Sequence, residues 1–454
     1  MTKQVTQSIK KSIRCARASP QSTLCWLVAI SILVYAIYLR LGYLDIIEFK
    51  SDEFEWIQLA YQHLHNKPTL VGLPSSVGLY YPPFFAYLLS IPVSISTNPK
   101  LVTGFIALLN LAGLWLLYVF VKRVFSLRLA WVVLLLVATS PWTILYARKV
   151  WNPDCLLPFM LIFYITLASY LERPAGFKVW IMAALLALIT QLHMSAWFLF
   201  GPLFVFAALV KAPLSIRDVF IGGLLFVLLY APYITFHVIT DFQNLNSFAS
   251  YERPATFTQS NLASAIDNIK WTYIISSGTG LSYSLGNEFD AFYKNRYLAV
   301  PYVFFSIALF VAAIGTIRYL VLSARWIFHR RQWSDMPRST QILILFTLIL
   351  VLMHLSYFLF KVPAFPHYNV IFYPIIFIIS AKVGIDAYNE ASSRSIKRAL
   401  LGLLLMILCS NLYVTHSMFD YLTSNPVGNY GDYGNPYFAN KDDWRQRMKA
   451  FSID

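Results

Sequence analysis

Four short polar clusters in an otherwise apolar chain carry the groups that could do chemistry. Asp52 and Glu53 stand in Lys50-Ser51-Asp52-Glu53-Phe54-Glu55-Trp56, directly after the first long apolar run. Arg148, Lys149, Trp151, Asn152 and Asp154 follow the run ending at Tyr146. His193 closes another run, and Lys361, His367 and Tyr368 link two more. A carboxylate such as Asp52, beside apolar surface that raises its pKa, can take a proton from a hydroxyl nucleophile. Arg148, Lys149 and Lys361 can hold a phosphate leaving group, the arginine with a two-pronged fork. Together these parts suit transfer of a group from a lipid phosphate to a nucleophile at a membrane surface. Asp154, His193, His367, Tyr368 and Tyr81 are the candidates for acceptor or sugar binding and for support of the site. Each also has a plainer reading. Asp154 suits the positive end of a helix dipole, Lys361 a side chain snorkelling from a span, and His193 a polar helix end. Trp56, Tyr80, Tyr81 and Trp151 suit an interfacial aromatic belt. Asp52 and Asp154 could share a divalent metal through oxygen ligands. No His, Cys or acidic spacing marks a metal site, and His63 and His65 fall on opposite sides of a helix.

The elements that must position these groups are membrane helices. Of 454 residues 58% are hydrophobic, 17% aromatic and 13% charged, and mean hydropathy is +0.59. Soluble domains hold about 45–50% apolar and about 25% charged residues, so the soluble class is excluded. Many runs reach the roughly 20 apolar residues a bilayer core demands, and none alternates like a barrel strand. The net charge of +15 lies in short clusters between the runs, as the positive-inside rule expects, and not on one nucleic-acid-binding face. Cys15, Cys25, Cys155 and Cys409 have no paired spacing. Lys3, Lys10, Lys11, Arg14 and Arg17 precede a run, 24–44, that is too long for a signal peptide and lacks a small-residue cleavage site. It reads as a first span that leaves the N-terminus in the cytoplasm.

The first outer loop, 45–100, begins with an amphipathic segment at 54–64. Counting 81–97 as a crossing would put Lys122, Arg123, Arg325, His329, Arg330 and Arg331 outside, against the charge rule. That segment is short and carries Pro82, Pro83 and Pro92, so it reads as re-entrant or surface-lying. Ten further spans follow at 101–121, 127–146, 155–171, 179–192, 196–210, 219–239, 299–322, 341–360, 370–388 and 399–416. The expectation is an all-α bundle of about 11 transmembrane helices over residues 1–416. An outer loop at 240–298 and a short outer tail at 417–454 complete it. Within the long loop, 261–276 has helical apolar spacing and suits a surface helix or a lid.

Five pieces occur in a telling order: Ser51-Asp52-Glu53, then Tyr81-Pro82-Pro83-Phe84, then Ser140-Pro141 with Tyr146-Ala147-Arg148 and Asp154. Gln191-Leu192-His193 and Pro366-His367-Tyr368 with Tyr373-Pro374 complete the set. The series resembles the GT-C fold of integral membrane glycosyltransferases, in the bacterial branch akin to protein O-mannosyltransferases and the aminoarabinose transferase of lipid A. That resemblance implies a polyprenyl-phosphate-linked sugar donor, undecaprenyl phosphate in a bacterial inner membrane, and inverting transfer on the periplasmic side. It gives Asp52 the place of the base, sets Glu53 beside it, and puts Asp154 near the second acidic position. Arg148, Lys149 and Lys361 are then the donor-phosphate candidates. No large soluble domain follows the last span and the Trp-Trp-Asp signature of oligosaccharyltransferases is missing. The acceptor is therefore open between glycan, lipid and protein. The residues alone also allow a transporter or flippase of lipid-linked sugars, or a non-catalytic subunit of a cell-envelope polysaccharide assembly complex.

Overall fold

The computed structural model describes residues 20–65, 68–75, 78–249, 261–329, 333, 336–428 and 430–451. The basic N-terminal residues through Arg17, and Arg330 and Arg331, lie outside the described residues. The described chain is helical, with two isolated bridges joining Glu48 to Pro436 and Pro74 to Tyr80. Among the described residues seven helices are long and apolar enough to cross a membrane: Pro99–Val124, Asn152–Glu172, Ile216–Ile239, Ala299–Phe328, Arg338–Leu359, Pro366–Glu390 and Arg394–Ser424. Five shorter apolar helices accompany them: Trp26–Leu41, Phe84–Val93, Leu127–Thr139, Gly176–Leu192 and Met194–Leu209. The helix Phe84–Val93 has ten residues. At 1.5 Å per residue it covers about 15 Å, half the hydrocarbon core. This is the segment read as re-entrant.

Hydrocarbon outside and dense packing inside explain the arrangement. Phe220, Leu224, Val227, Phe310 and Ile317 point outward, a distribution that lipid solvates. Phe346, Ile349, Ile376 and Ile378 are fully buried at the centre. Where the helices Ile216–Ile239 and Gly176–Leu192 touch, a Cβ on Gly222 would meet the Ala183 methyl at 3.1 Å, so a hydrogen there lets the backbones close up.

Charge marks the two ends. The helix Pro99–Val124 starts beside an ion pair of Lys100 with Asp45. It ends with Arg123 paired to Glu172 at 2.6 Å, and Arg338 joins the same carboxylate. Arg123, Glu172 and Arg338 come from three loops that the charge rule assigns to one side. The acidic first loop lies at the other.

Two runs expected as single helices are broken. Leu127–Thr139 stops before Pro141, and Pro141–Tyr146 follows as a separate turn. Proline has no N–H to continue the ladder, so carbonyls near the break need other donors. Thr143 Oγ1 donates to the Val137 carbonyl at 2.5 Å, and the Arg40 guanidinium donates to those of Ala138 at 2.5 Å and Val137 at 3.3 Å. The run at 196–210 likewise divides into a 3-10 segment, Met194–Leu199, and an α-helix, Phe200–Leu209. The helix Asn261–Ser277 does not rest on the surface. Asn268 is fully buried and donates to the Val362 carbonyl at 3.1 Å, while Thr272 Oγ1 donates to Asn369 Oδ1 at 2.9 Å. It forms a wall of the bundle.

Candidate functional site

The helix Ser51–His65 presents Asp52 and Glu53 in its first turn, where the helix dipole favours negative charge. The two side chains part at once: Asp52 is exposed and Glu53 fully buried. Glu53 Oε2 reaches back to accept from the Lys50 backbone N–H at 2.8 Å, which satisfies a donor left open at the helix start. Burial pushes the Glu53 carboxyl up to about 7 from 4.5, Lys149 opposing and Glu48 adding to the rise. The folded state therefore holds a proton that the unfolded chain has lost across that window, and stability falls as pH rises through it. That rise corresponds to about 3 kcal/mol. We expect the detergent-solubilised wild type to lose thermal stability from pH 5 to 7.5 and Glu53→Gln to lose much less. Parallel curves for the two proteins would contradict this assignment.

Lys149 faces that carboxylate. Its ammonium donates to Glu48 Oε1 at 2.6 Å, lies 3.7 Å from Glu53 Oε1, and sits 4.1 Å over the Trp151 ring. Burial alone would lower its pKa, but Glu48, then Glu53 and Asp432, outweigh that and raise it, so it stays charged. Arg148, one residue earlier, turns the other way. It donates to the carbonyls of Leu39 at 2.7 Å, Arg40 at 3.2 Å and Tyr43 at 2.6 Å, and to that of Gly42. These belong to the C-terminal end of the helix Pro20–Leu41 and the turn after it. Asn152 does the same for the helix Gly176–Leu192, its Nδ2 donating to the Leu192 carbonyl at 2.6 Å.

Trp151 leads on to the remaining candidates. Its ring meets His367 edge-on at 4.5 Å, and His367 lies 4.5 Å from Tyr368 and 5.9 Å from His193. His193 is buried, its Nδ1 accepting from the Ser195 backbone N–H at 3.2 Å. Burial pushes its imidazole down to about 3, so it is neutral. The Tyr81 ring lies 6.4 Å from that of Trp56, on the helix that begins at Ser51 and carries Asp52. Lys149, Trp151, His193, His367 and Tyr368 are thus brought together at one end of the bundle, and Lys149 joins them to the Asp52 helix through Glu53.

Asp154 and Lys361 have other surroundings. Asp154 is buried, and among the described residues neither of its carboxylate oxygens has a hydrogen-bond partner. It opens with Arg40, Asn110, Tyr146 and Tyr373 onto an interior cavity with about 20 Å³ for water centres, room for one water. Lys361 is exposed just beyond the helix Arg338–Leu359, with a left-handed φ of 54°. No group of three or more His, Cys, Asp or Glu side chains that could hold a metal occurs among the described residues.

Glu48 and Asp432 were missed from sequence. Glu48 Oε1 bridges Lys149 and Lys50, each at 2.6 Å, and Asp432 lies 4.0 Å and 3.9 Å from the same two lysines. Glu48 lies in the acidic stretch that opens the first loop, a signal that was there to be used. Asp432 sits in a Tyr-, Asn- and Gly-rich tail whose pattern fixes no position relative to the bundle.

A polytopic helical bundle with charged outer loops gathered at one end is the architecture of the GT-C membrane glycosyltransferases, and the chain has that fold. ArnT, the aminoarabinose transferase, from Cupriavidus metallidurans in its apo state superposes with TM-score 0.53 at 14% identity, over 87% of this chain and 75% of that one. ArnT bound to undecaprenyl phosphate gives 0.52 at 14% identity, over 94% and 79%. The Archaeoglobus fulgidus oligosaccharyltransferase in complex with Zn and sulfate gives 0.52 at 14% identity over 94% of this chain. The match spans 56% of that enzyme. No family model and no curated protein matches the sequence. The likeness is one of fold.

Proposed function

We propose that this chain is a glycosyltransferase that moves one sugar from a polyprenyl phosphate to an acceptor hydroxyl at the outer membrane surface. The donor lipid is undecaprenyl phosphate, the membrane a bacterial inner membrane, and the outer face the periplasmic one. Residues 1–416 form its transmembrane domain and 417–454 its outer tail. One observation carries the reading: segments distant in sequence converge on a buried cation, Lys149, which meets Glu48, Glu53, Asp432 and Trp151, and the exposed Asp52 is the neighbour of Glu53 at the same helix start. The GT-C fold, shared with a protein whose structure holds undecaprenyl phosphate, supports it.

In this mechanism Asp52 takes the proton of the acceptor hydroxyl as its oxygen attacks the anomeric carbon opposite the phosphate. The new carbon–oxygen bond forms while the bond to phosphate breaks, and the polyprenyl phosphate leaves with the electron pair, so the anomeric centre inverts. The Lys149 ammonium, with Lys361 at the rim, stabilises the charge that develops on the leaving phosphate. Tyr81, His193, His367 and Tyr368 line the sugar and acceptor side, the neutral imidazoles acting as hydrogen-bonding and stacking surfaces. A glycan, a lipid or a protein supplies the hydroxyl.

The test is transfer by the purified protein in detergent, with a labelled undecaprenyl-phosphate sugar and a panel of envelope acceptors. Labelled acceptor and released lipid phosphate are expected. A carrier of lipid-linked sugars would bind the donor and form neither product, and that result would overturn the proposal.

A further inference from the structure

The tail that follows the last long helix does not trail away from the bundle. Tyr433 donates its phenol to the Ile46 carbonyl, and the Tyr437 backbone N–H donates to the Ile47 carbonyl at 3.0 Å. Between them Pro436 bridges Glu48, and the Asp432 carbonyl accepts from the Lys50 ammonium. Further on, Trp444 packs edge-on against Phe49 at 5.2 Å and against Phe54 at 5.6 Å. Those two rings flank Lys50, Asp52 and Glu53. Trp444, Tyr433 and Tyr437 are all buried, and Phe49 is 1% exposed.

The other edge of this segment is anchored as firmly. The Asp432 and Tyr433 backbone N–H groups donate to the carbonyls of Tyr283 and Ser284, each at 3.0 Å. Gly431 lies so close to the same turn that a Cβ there would come 3.0 Å from the Gly286 nitrogen and nearer still to the Tyr283 carbonyl oxygen. The tail is thus clamped between the long outer loop and the segment that carries Asp52.

We infer that residues 430–444 form a positioning strap for the Asp52 helix, with Trp444, Tyr433 and Tyr437 as positioning residues that set the angle of Asp52 without touching the reacting atoms. The strap is attached to backbone carbonyls at 46 and 47 and to rings at 49 and 54, on both sides of the carboxylate. Hydrogen bonds to carbonyls fix the path of the chain, and the two aromatic contacts fix the rotation of the helix start. A base must be held to a fraction of an ångström of its working position, and a misplacement of about 1 Å can cost on the order of a hundredfold in rate. This inference rests on the reading of Asp52 as the base.

The experiment compares wild type, Trp444→Ala and Trp444→Phe in three readouts: the kcat and KM for the lipid-phosphate donor, thermal unfolding, and amide hydrogen exchange over residues 46–58. Trp444→Ala is expected to lower kcat by about tenfold or more, to leave the donor KM within about twofold, and to speed exchange at 46–58 by about tenfold while the membrane helices keep their protection. Trp444→Phe keeps a ring between Phe49 and Phe54 and is expected to recover most of the kcat. Wild-type kcat in Trp444→Ala, or a lower kcat with unchanged exchange at 46–58, would overturn the strap while leaving the transferase reading intact. A wild type that transfers no sugar overturns the transferase reading itself, which separates the two failures.

Discussion

Asp52→Asn is expected to insert and fold as the wild type does and to lose sugar transfer by about 10² to 10⁴-fold, the range typical of a missing general base. The carboxylate is exposed at the start of the helix Ser51–His65, so an isosteric amide opens no cavity there. Its charge contributes to the helix through the dipole alone, about 0.3–1 kcal/mol at an exposed site. Stability and donor binding should therefore hold within about twofold while turnover collapses. Glu53→Gln supplies the contrast. That side chain is buried and accepts from the Lys50 backbone N–H, so the substitution should act on the pH dependence of stability while donor binding persists. Turnover by Asp52→Asn at the wild-type rate, measured with the labelled donor, would remove Asp52 from the mechanism.

Which loops share an end of the bundle was legible from the distribution of lysine and arginine. Arg123, Glu172 and Arg338, placed together by the charge rule, meet as an ion triad. Asp45 and Lys100, assigned to the opposite face, pair there. The three prolines at 82, 83 and 92 mark a segment read as re-entrant or surface-lying, and a ten-residue helix occupies it. Apolar runs are less informative about where a helix ends. The runs at 127–146 and 196–210 are continuous in hydropathy, yet each is two helical pieces, because Pro141 removes a donor and Ser195 ties back onto His193.

Charge type was legible in the site, and charge partner was not. Lys149 and Arg148 are neighbours with the same sign in the same loop, so their types do not say which one meets the acidic groups. Backbone geometry sends one into a ring of carboxylates and the other into a ring of carbonyls. Asp154 was read from its place at a helix start, but its oxygens open onto an inner cavity. Asp432 needed the tail to fold back across the outer face. Long-range placement of that kind depends on single contacts such as Trp444 with Phe49, which no periodicity announces.

Arg148→Met is expected to destabilise the bundle by about 3–5 kcal/mol, the combined cost of leaving several helix-end carbonyls without their donor. Its guanidinium is 2% exposed and packs 4.5 Å from the Phe419 ring. Burial lowers its pKa to about 10, with Tyr433 and Tyr43 opposing the fall, so it is protonated at neutral pH without a carboxylate partner. The compensation comes from carbonyls left open where the helix Pro20–Leu41 ends, and a thioether supplies no donor to them. Arg148→Lys should recover only part of the loss, because one ammonium cannot copy a fork that reaches Leu39, Arg40, Gly42 and Tyr43 from two nitrogens. The measurement is thermal unfolding in detergent, set beside the affinity for undecaprenyl phosphate. If Arg148 gripped the donor phosphate, Arg148→Lys would weaken lipid binding at an unchanged unfolding midpoint. The geometry requires the reverse: a lowered midpoint for both variants, and donor affinity close to wild type in the fraction that stays folded. Under that outcome the Ser140-Pro141 to Arg148 motif is a joint that welds the first helix to the broken one, and the leaving phosphate is left to Lys149 and Lys361.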